Sequence, residues 1–383
     1  MKRPVRATLY HRIREILESA RTLVARTVNT TQVVANWLIG REIVEEEQKG
    51  RRRAGYGERL LESLAERLSE EYGTGYSERN LRFIRQFYSE YSSLLPTDVI
   101  RHALRTESGG TQKSLQSAIW YAPRTESWKP GRLHQNLSWT HYRTLLRVEN
   151  TQARSFYEIE ALKNNWSARE LERQINSLLY ERLALSKDKK GLMKLATKGQ
   201  NVQQPADVFK DPVVMEFLGL PESPRLVESD LEQALINNLQ AFLLELGKGF
   251  AFVARQERLT LDGDHFYIDL VFYHTVLKCY VIIDLKTGKL THQDLGQLQL
   301  YVNYYDHERR TEDDNPTLGL ILCADKNDAV VRYTLGPEQE QKIFASRYKL
   351  YLPTEAELKA EIRREVRQLT GGHLTRTPRR RTP

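Results

Sequence analysis

The sequence predicts an α/β domain with element order α-β-β-β-α-β, preceded by an all-α region, and three observations carry that reading. From residue 229 onward the hydrophobic spacing changes from helical to alternating and back. Charge divides along the chain: residues 1–150 hold 25 Lys/Arg against 17 Asp/Glu, and residues 151–370 hold 29 against 33. At 383 residues there is enough chain for two domains with cores of their own.

In the N-terminal part the spacing predicts a helix over residues 57–72, a break at Gly73-Thr74-Gly75, and a second helix capped by Ser77 and reaching about residue 91. On the second helix Leu81, Ile84, Tyr88 and Tyr91 fall on one side, and Arg79, Arg82, Arg85 and Gln86 on the other. That is the shape of a helix-turn-helix with a basic face for a major groove. A solvated arginine face on a helical hairpin is the plainer alternative, and the same choice holds for Arg51-Arg52-Arg53. Residues 167–185, opening with Ser167-x-x-Glu170, predict one long helix, and residues 186–212 a linker.

In the C-terminal part Leu231, Leu235, Leu239, Phe242 and Leu246 stand at helical spacing over residues 229–246, ended by Gly247. Strands are expected over 250–256, 265–273 and 278–286, then a helix over 292–305 and an apolar strand over 317–324 suited to burial on both faces. Period-two alternation puts Phe266, Ile268, Leu270 and Phe272 on one face of their strand. It puts Tyr280, Ile282, Asp284 and Lys286 together on theirs.

Asp284 and Lys286 therefore point the same way, and Asp269 lies in the strand before them. A lone buried carboxylate costs several kcal/mol, on the order of what an unpaired buried ion loses in hydration, so acids in runs this apolar are paired, protonated or bound to a cation. A divalent metal satisfies two at once. A solvated Asp-Lys pair ending an edge strand, with Asp269 as a cross-strand partner, is the competing reading. Glu232 has two as well: at the third position after Ser229 it can close a capping box, or it can face the acids. Gln297 and Tyr301 are four apart and share a helix face. His265 and His292 lack a second ligand at zinc spacing.

This order of elements, with Asp269 on the second strand, Asp284-Leu285-Lys286 on the third and Glu232 on the leading helix, resembles the core of the PD-(D/E)XK nuclease superfamily. The words Glu228-Ser229-Asp230-Leu231-Glu232, Phe266-Tyr267-Ile268-Asp269-Leu270, Ile283-Asp284-Leu285-Lys286-Thr287-Gly288 and Tyr301-Val302-Asn303-Tyr304-Tyr305-Asp306 resemble the bacterial YhcG family. Gly75-Tyr76-Ser77-Glu78-Arg79-Asn80-Leu81 and Ser138-Trp139-Thr140-His141-Tyr142-Arg143 resemble its other half. The similarity runs over residues 5–92 and 136–370; residues 95–135 read as a divergent loop or insertion.

The resemblance implies a helical, DNA-binding domain over residues 1–185 and a mixed sheet flanked by helices over 213–370; the Arg-, Thr-, Pro- and Gly-rich composition of residues 371–383 predicts a disordered basic tail. It implies Mg²⁺ or Mn²⁺ as cofactor, with Asp269 and Asp284 as ligands and the Leu285 carbonyl as a third. Lys286 would assist water attack, Glu232 and Gln297 would complete the site, and Tyr301, Arg79, Arg82 and Arg85 would contact nucleic acid. Two departures stand out: Ile268 replaces the proline before Asp269, and Asp284 replaces the commoner glutamate. The shorter side chain draws the metal about an ångström closer to its strand. The expected activity is DNA hydrolysis, endonucleolytic before exonucleolytic, with RNA and self-association left open. The alternative is a protein that binds DNA or a partner on a nuclease fold without cutting. Retention of Asp269, Asp284 and Lys286 together favours the enzyme.

Composition excludes other classes. There is no apolar run of 18 residues and no secretory h-region near Met1. Cys279 and Cys323, both in apolar strands, read as reduced core residues of a cytoplasmic protein.

Overall fold

A computed structural model describes residues 9–14, 16–17, 28–49, 56–95, 128–185, 189–221, 223, 226–354 and 356–357. The arginine run at 51–53, most of the 95–135 segment and the basic tail lie outside these residues. Contacts divide the chain into two units, Met1–Ile175 with Met193–Gly199, and Asn176–Leu192 with Gln200–Pro383.

The first unit is helical. Its described helices are α1 (Val28–Lys49), α2 (Tyr56–Tyr72), α3 (Glu78–Glu90), α4 (Trp139–Leu145), α5 (Thr151–Lys163), α6 (Ala168–Asn176) and α8 (Lys189–Lys198), the last belonging to both units by sequence position. Trp37, Ile39 and Ile43 of α1 are buried with Leu81, Ile84 and Phe87 of α3. The two helices approach so closely at Gly40 that a Cβ there would collide with the Ile84 carbonyl oxygen. Trp37 Nε1 donates to the Tyr91 carbonyl at 2.7 Å. Tyr88 stands on this packed side as expected, edge-on to Trp37 with ring centroids 5.0 Å apart, and Phe87 joins Leu81 and Ile84 as a fully buried residue of α3.

Two expectations fail at the end of this unit. Residues 167–185 form two helices, α6 and α7 (Leu179–Leu185), broken at Leu178, whose φ is 54°. The break releases the Ser177 carbonyl, which accepts from Arg182 Nε at 2.8 Å. The expected linker at 186–212 holds α8 and a 3₁₀ turn, Pro205–Asp207, because Leu195 and Ala196 give it an apolar face that is buried. The Ser167–Glu170 capping box is present: Ser167 N donates to Glu170 Oε2 at 2.6 Å.

The second unit is a six-stranded mixed sheet in the order β1-β6-β5-β4-β3-β2. Its strands are β1 (Val213–Val214), β2 (Phe250–Leu261), β3 (Asp264–His274), β4 (Cys279–Lys289), β5 (Leu318–Asp325) and β6 (Ile343–Lys349). β2, β3 and β4 pair antiparallel; β4 with β5, β5 with β6, and β1 with β6 pair parallel. Helices α9 (Glu228–Asn237) and α10 (Leu239–Leu246) replace the single helix expected, with the break at Asn238. Their Leu231, Leu235, Phe242 and Leu246 cover one face of the sheet with Leu270, Phe272, Ile283 and Leu320. On the other face α11 (His292–Glu308) packs Leu298, Tyr301 and Val302 against Val271, Ile282 and Ile321. α12 (Asp328–Thr334) leads to the last strand. Strands β1 and β6 were not anticipated.

α7, α10 and β1 meet at a buried ion pair. Arg182 Nη1 lies 2.5 Å from Glu245 Oε1, both side chains fully excluded from solvent. The Pro212 carbonyl and the Val214 amide take up further bonding capacity of the pair at 2.9 and 3.0 Å.

Candidate active site

The acids and the lysine lie where the antiparallel part of the sheet meets its parallel part. Asp284 pairs with Ile321 across the β4–β5 ladder and shares a face with Ile282, as alternation requires. It is 2 % exposed. Lys286 follows on the same face, its Nζ 3.0 Å from Asp284 Oδ2 and 3.5 Å from Glu228 Oε2. At that separation Lys286 is the one side chain that partners Asp284 Oδ2 among the described residues.

Asp269 reaches the same place through an irregularity. The expected face of β3 splits: Ile268 packs with the α11 layer, Leu270 and Phe272 with the α9 layer. Opposite Asp269, between the pairs Arg255↔Leu270 and Glu257↔Ile268, which keep one register, stands Gln256, with φ at 46°. The β3–β4 ladder stops at Leu270↔Ile283, and beyond it the Asp269 carboxylate accepts from the Leu285 amide at 2.8 Å. Asp269 thus replaces a ladder carbonyl and faces the site.

Gln256 joins two acids: its Nε2 donates to Glu232 Oε2 at 2.6 Å and to Asp269 Oδ1 at 3.1 Å. Glu232 makes no capping box, because α9 begins at Glu228 behind Val227 and leaves Ser229 inside the helix. Its other oxygen, 3.6 Å from Arg255 Nε, has no hydrogen-bond partner. Gln297 Nε2 donates to the Tyr301 hydroxyl at 2.5 Å. Tyr301 is fully buried, so the nucleic-acid contact expected of it is corrected: the ring cannot stack on a base and instead holds Gln297. His265 and His292 are both exposed, and among the described residues no three His, Cys, Asp or Glu side chains stand as a metal-holding group.

The electrostatics follow from burial. Desolvation pushes the Asp284 carboxyl up to about 7; Lys286 opposes this and Asp269 adds to it. Burial likewise raises Asp269, against the Leu285 hydrogen bond and Lys286. It raises Glu232, against the Gln256 hydrogen bond. For Lys286 burial works downward but is outweighed by Asp284 and Glu228, so the ammonium stands above its ordinary value and stays charged. Three carboxyls that bind protons too tightly around one cation form a site short of positive charge. Gln256, Glu228 and Arg255 were not singled out by the sequence pattern; the one signal for Glu228 was its place in the family wording, and none pointed to Gln256.

In the helical unit Arg82 is paired with Glu78 at 2.6 Å and Arg85 with Glu47 at 3.0 Å. Arg79 is exposed and has no ion-pair partner among the described residues.

A mixed sheet that brings an aspartate and an Asp-x-Lys together beneath a glutamate-bearing helix is the core of a PD-(D/E)XK-type nuclease domain. Residues 206–363 match the family model of the YhcG PDDEXK nuclease domain, and residues 12–182 that of the DUF1016 N-terminal domain. The chain is 38 % identical over 364 residues to a protein of Escherichia coli (strain K12) named "Putative nuclease YhcG", covering 94 % of each. It belongs to the YhcG family. Among solved structures, a repair endonuclease from Pyrococcus abyssi aligns with 35 % of this chain and 50 % of its own at 14 % identity and a TM-score of 0.24. An EndoMS–dsDNA complex aligns with 36 % and 47 % at 15 % identity and a TM-score of 0.25.

Proposed function

We propose that the chain is a divalent-metal-dependent nuclease that hydrolyses phosphodiester bonds in DNA. The observation that carries this is the buried Asp284, whose Oδ2 has only Lys286 beside it, among carboxyls held above their ordinary values. The donor set fits a hard cation: Asp269 and Asp284 offer carboxylate oxygens and Leu285 a carbonyl, the ligand type Mg²⁺ and Mn²⁺ take. When bound, the cation supplies Lewis-acid stabilisation and a more acidic water.

The side chains do the rest. Lys286 places a permanent positive charge where a phosphoryl oxygen gains negative charge or where the attacking water is oriented. Gln256 fixes Glu232 and Asp269 relative to each other, and Tyr301 fixes Gln297, whose exposed amide is then directed rather than free. Asp284 must shed its proton to act as a ligand, so proton and cation compete there and metal affinity rises with pH.

DNA capture falls to the N-terminal part, where basic residues are in excess. Of the arginine stripe, Arg79 keeps its charge available, while Glu78 and Glu47 answer Arg82 and Arg85. Arg79→Ala therefore makes the salt dependence of DNA binding shallower by about 0.9 in log–log slope, and Arg82→Ala changes it less. Cys279 and Cys323 are free and buried, which supports a reducing compartment, the cytoplasm.

The test is incubation of purified protein with covalently closed, linear and branched DNA in Mg²⁺, Mn²⁺ or EDTA. Metal-dependent cutting upholds the reading, with cutting of closed circles showing endonuclease action. DNA bound but uncut under every condition would leave a binding protein on a nuclease fold.

A further inference from the structure

The β3–β4 ladder ends at Leu270↔Ile283, while the β2–β3 ladder continues to Leu261↔Asp264, so residues 257–268 form a two-stranded arm that runs past β4. A ribbon of two strands is marginal unless one face is covered. Leu259, Phe266 and Ile268 supply that face, packed into the α11 layer. On the same side Glu257 accepts from the Tyr305 hydroxyl at 2.6 Å and from Arg309 Nη2 at 3.0 Å. The arm is held through this one face.

Its other face is open and lies on the side of Glu232. Arg258 and Tyr267 stand directly opposite each other there, as do Thr260 and His265, and all four are exposed. At the root, Arg255 is paired with Leu270 of the α9 layer and donates through Nη1 to Gln233 at 3.1 Å, beside Glu232. Gln256 bonds Glu232 and Asp269 at the same level. Tyr267 is two residues from Asp269 along β3, about 7 Å at the rise of a strand. The open face therefore continues from the acid cluster.

The side chains on it narrow what it meets. Tyr267 is 50 % exposed, and among the described residues its ring meets no other ring and its hydroxyl no partner. Arg258 has neither an ion pair nor a hydrogen bond among them. The acids of the arm stand elsewhere, Glu257 on the packed face and Asp262 and Asp264 at the turn. Directly opposite residues on one face have Cβ atoms about 5 Å apart, so one nucleotide can span the pair, its base on the ring and its phosphate at the guanidinium. Inside a duplex the faces of a base are covered by its neighbours, so the ring requires a base that is unpaired and unstacked.

We propose that the open face of the β2–β3 arm receives the DNA strand where it leaves the acid cluster, Tyr267 stacking on an unpaired base and Arg258 meeting its phosphate, so that the site acts where a strand is unpaired next to the scissile bond. The assignment rests on the nuclease reading of Asp269, Asp284 and Lys286, because the strand held at those residues is the one the arm receives.

The test is photo-crosslinking of the full-length protein, in EDTA to silence cleavage, to short thymine strands carrying 5-iodouracil, offered single-stranded and as blunt duplexes. Adducts are located by peptide mass spectrometry, and the DNA concentration that half-saturates them is measured over a salt series. An adduct on Tyr267 is expected with the single strand and not with the duplex. Tyr267→Phe keeps the ring and should keep the adduct, whereas Tyr267→Thr, a residue suited to strands, should abolish it. Arg258→Gln should raise the half-saturating concentration about tenfold and make its log–log salt slope shallower by about 0.7. Tyr333, 85 % exposed on α12, is the control for random capture of surface tyrosines. Both arm residues are exposed, so their variants should melt like the wild type, and the wild-type adduct map stands even if Arg258→Gln does not fold. No adduct on the arm, equal yield on the blunt duplex, adducts as abundant at Tyr333, or a folded Arg258→Gln with unchanged half-saturation would overturn the proposal. Cleavage in Mg²⁺ is read separately: the adduct without cleavage removes the nuclease reading and leaves a strand-binding face, and cleavage without the adduct removes the arm alone.

Discussion

Lys286 Nζ stands 3.0 Å from Asp284 Oδ2 on one face of β4, yet the lysine does not bring that carboxyl down to an ordinary value. Desolvation dominates, and with Asp269 and Glu228 nearby one ammonium serves more than one acid.

The first consequence is a stability that depends on pH. Asp284 binds its proton more tightly folded than unfolded, so folding takes up a proton between the unfolded carboxyl range, about 3.9, and the folded value near 7. Stability is therefore lost as pH rises through that window. In EDTA, Asp284→Asn should gain on wild type from pH 5 to pH 8, by on the order of 1–4 kcal/mol. Urea melts across that range measure it, and a gap that stays constant would show Asp284 titrating as an ordinary surface acid.

Lys286→Ala separates the charge from the ligands. Turnover should fall roughly 10²- to 10³-fold, the loss seen when one preorganised donor to the transition state is removed. Metal affinity should hold or improve, because the ammonium repels the cation. Single-turnover rates equal to wild type would make the lysine a solvating partner of Asp284 and nothing more.

Gln256 touches Glu232 and Asp269 without being a ligand itself. Gln256→Ala should cost about 10- to 100-fold in metal affinity or activity, the range for residues that orient ligands. The distinguishing readout is the metal titration: the midpoint should move to higher Mg²⁺, with part of the rate recovered at saturation. A fall in rate with an unmoved midpoint would place Gln256 outside the metal site.

Arg182→Met tests the buried pair behind the sheet. It takes the guanidinium away from a fully buried carboxylate, at a cost of about 3–5 kcal/mol, whereas replacing both partners with apolar residues should cost far less. Thermal unfolding of the single and double variants compares them directly.

How much of this was legible in sequence depended on whether local pattern set the outcome. The β4 face of Tyr280, Ile282, Asp284 and Lys286 followed from alternation alone, since a strand flanked by two neighbours keeps its pleat. β3 did not, because the irregularity at Gln256 moves Leu270 to the opposite layer from Ile268, and a single non-glycine residue at positive φ leaves no mark on hydrophobic spacing. The breaks at Leu178 and Asn238 hid for a related reason. Arg182 takes the Ser177 carbonyl through a tertiary contact, and the Asn176 and Asn237-Asn238 beside the breaks are weak stop signals that the continuing leucine spacing masks. Likewise Ser229-x-x-Glu232 has the spacing of a capping box, but the helix starts before Ser229 and frees Glu232 for Gln256. The two-residue β1 is too short for any periodicity to reveal.

The most direct measurement is single-turnover cleavage of labelled DNA by wild type, Asp269→Asn and Asp284→Asn over a Mg²⁺ and Mn²⁺ series, with DNA binding followed in parallel. Each Asn variant keeps the side-chain volume and loses the charge that holds the cation. Wild type should cut only with divalent metal, and both variants should lose orders of magnitude in rate while binding DNA as before. Cutting by wild type in EDTA, or by either variant at the wild-type rate, would contradict a metal centre at Asp269 and Asp284.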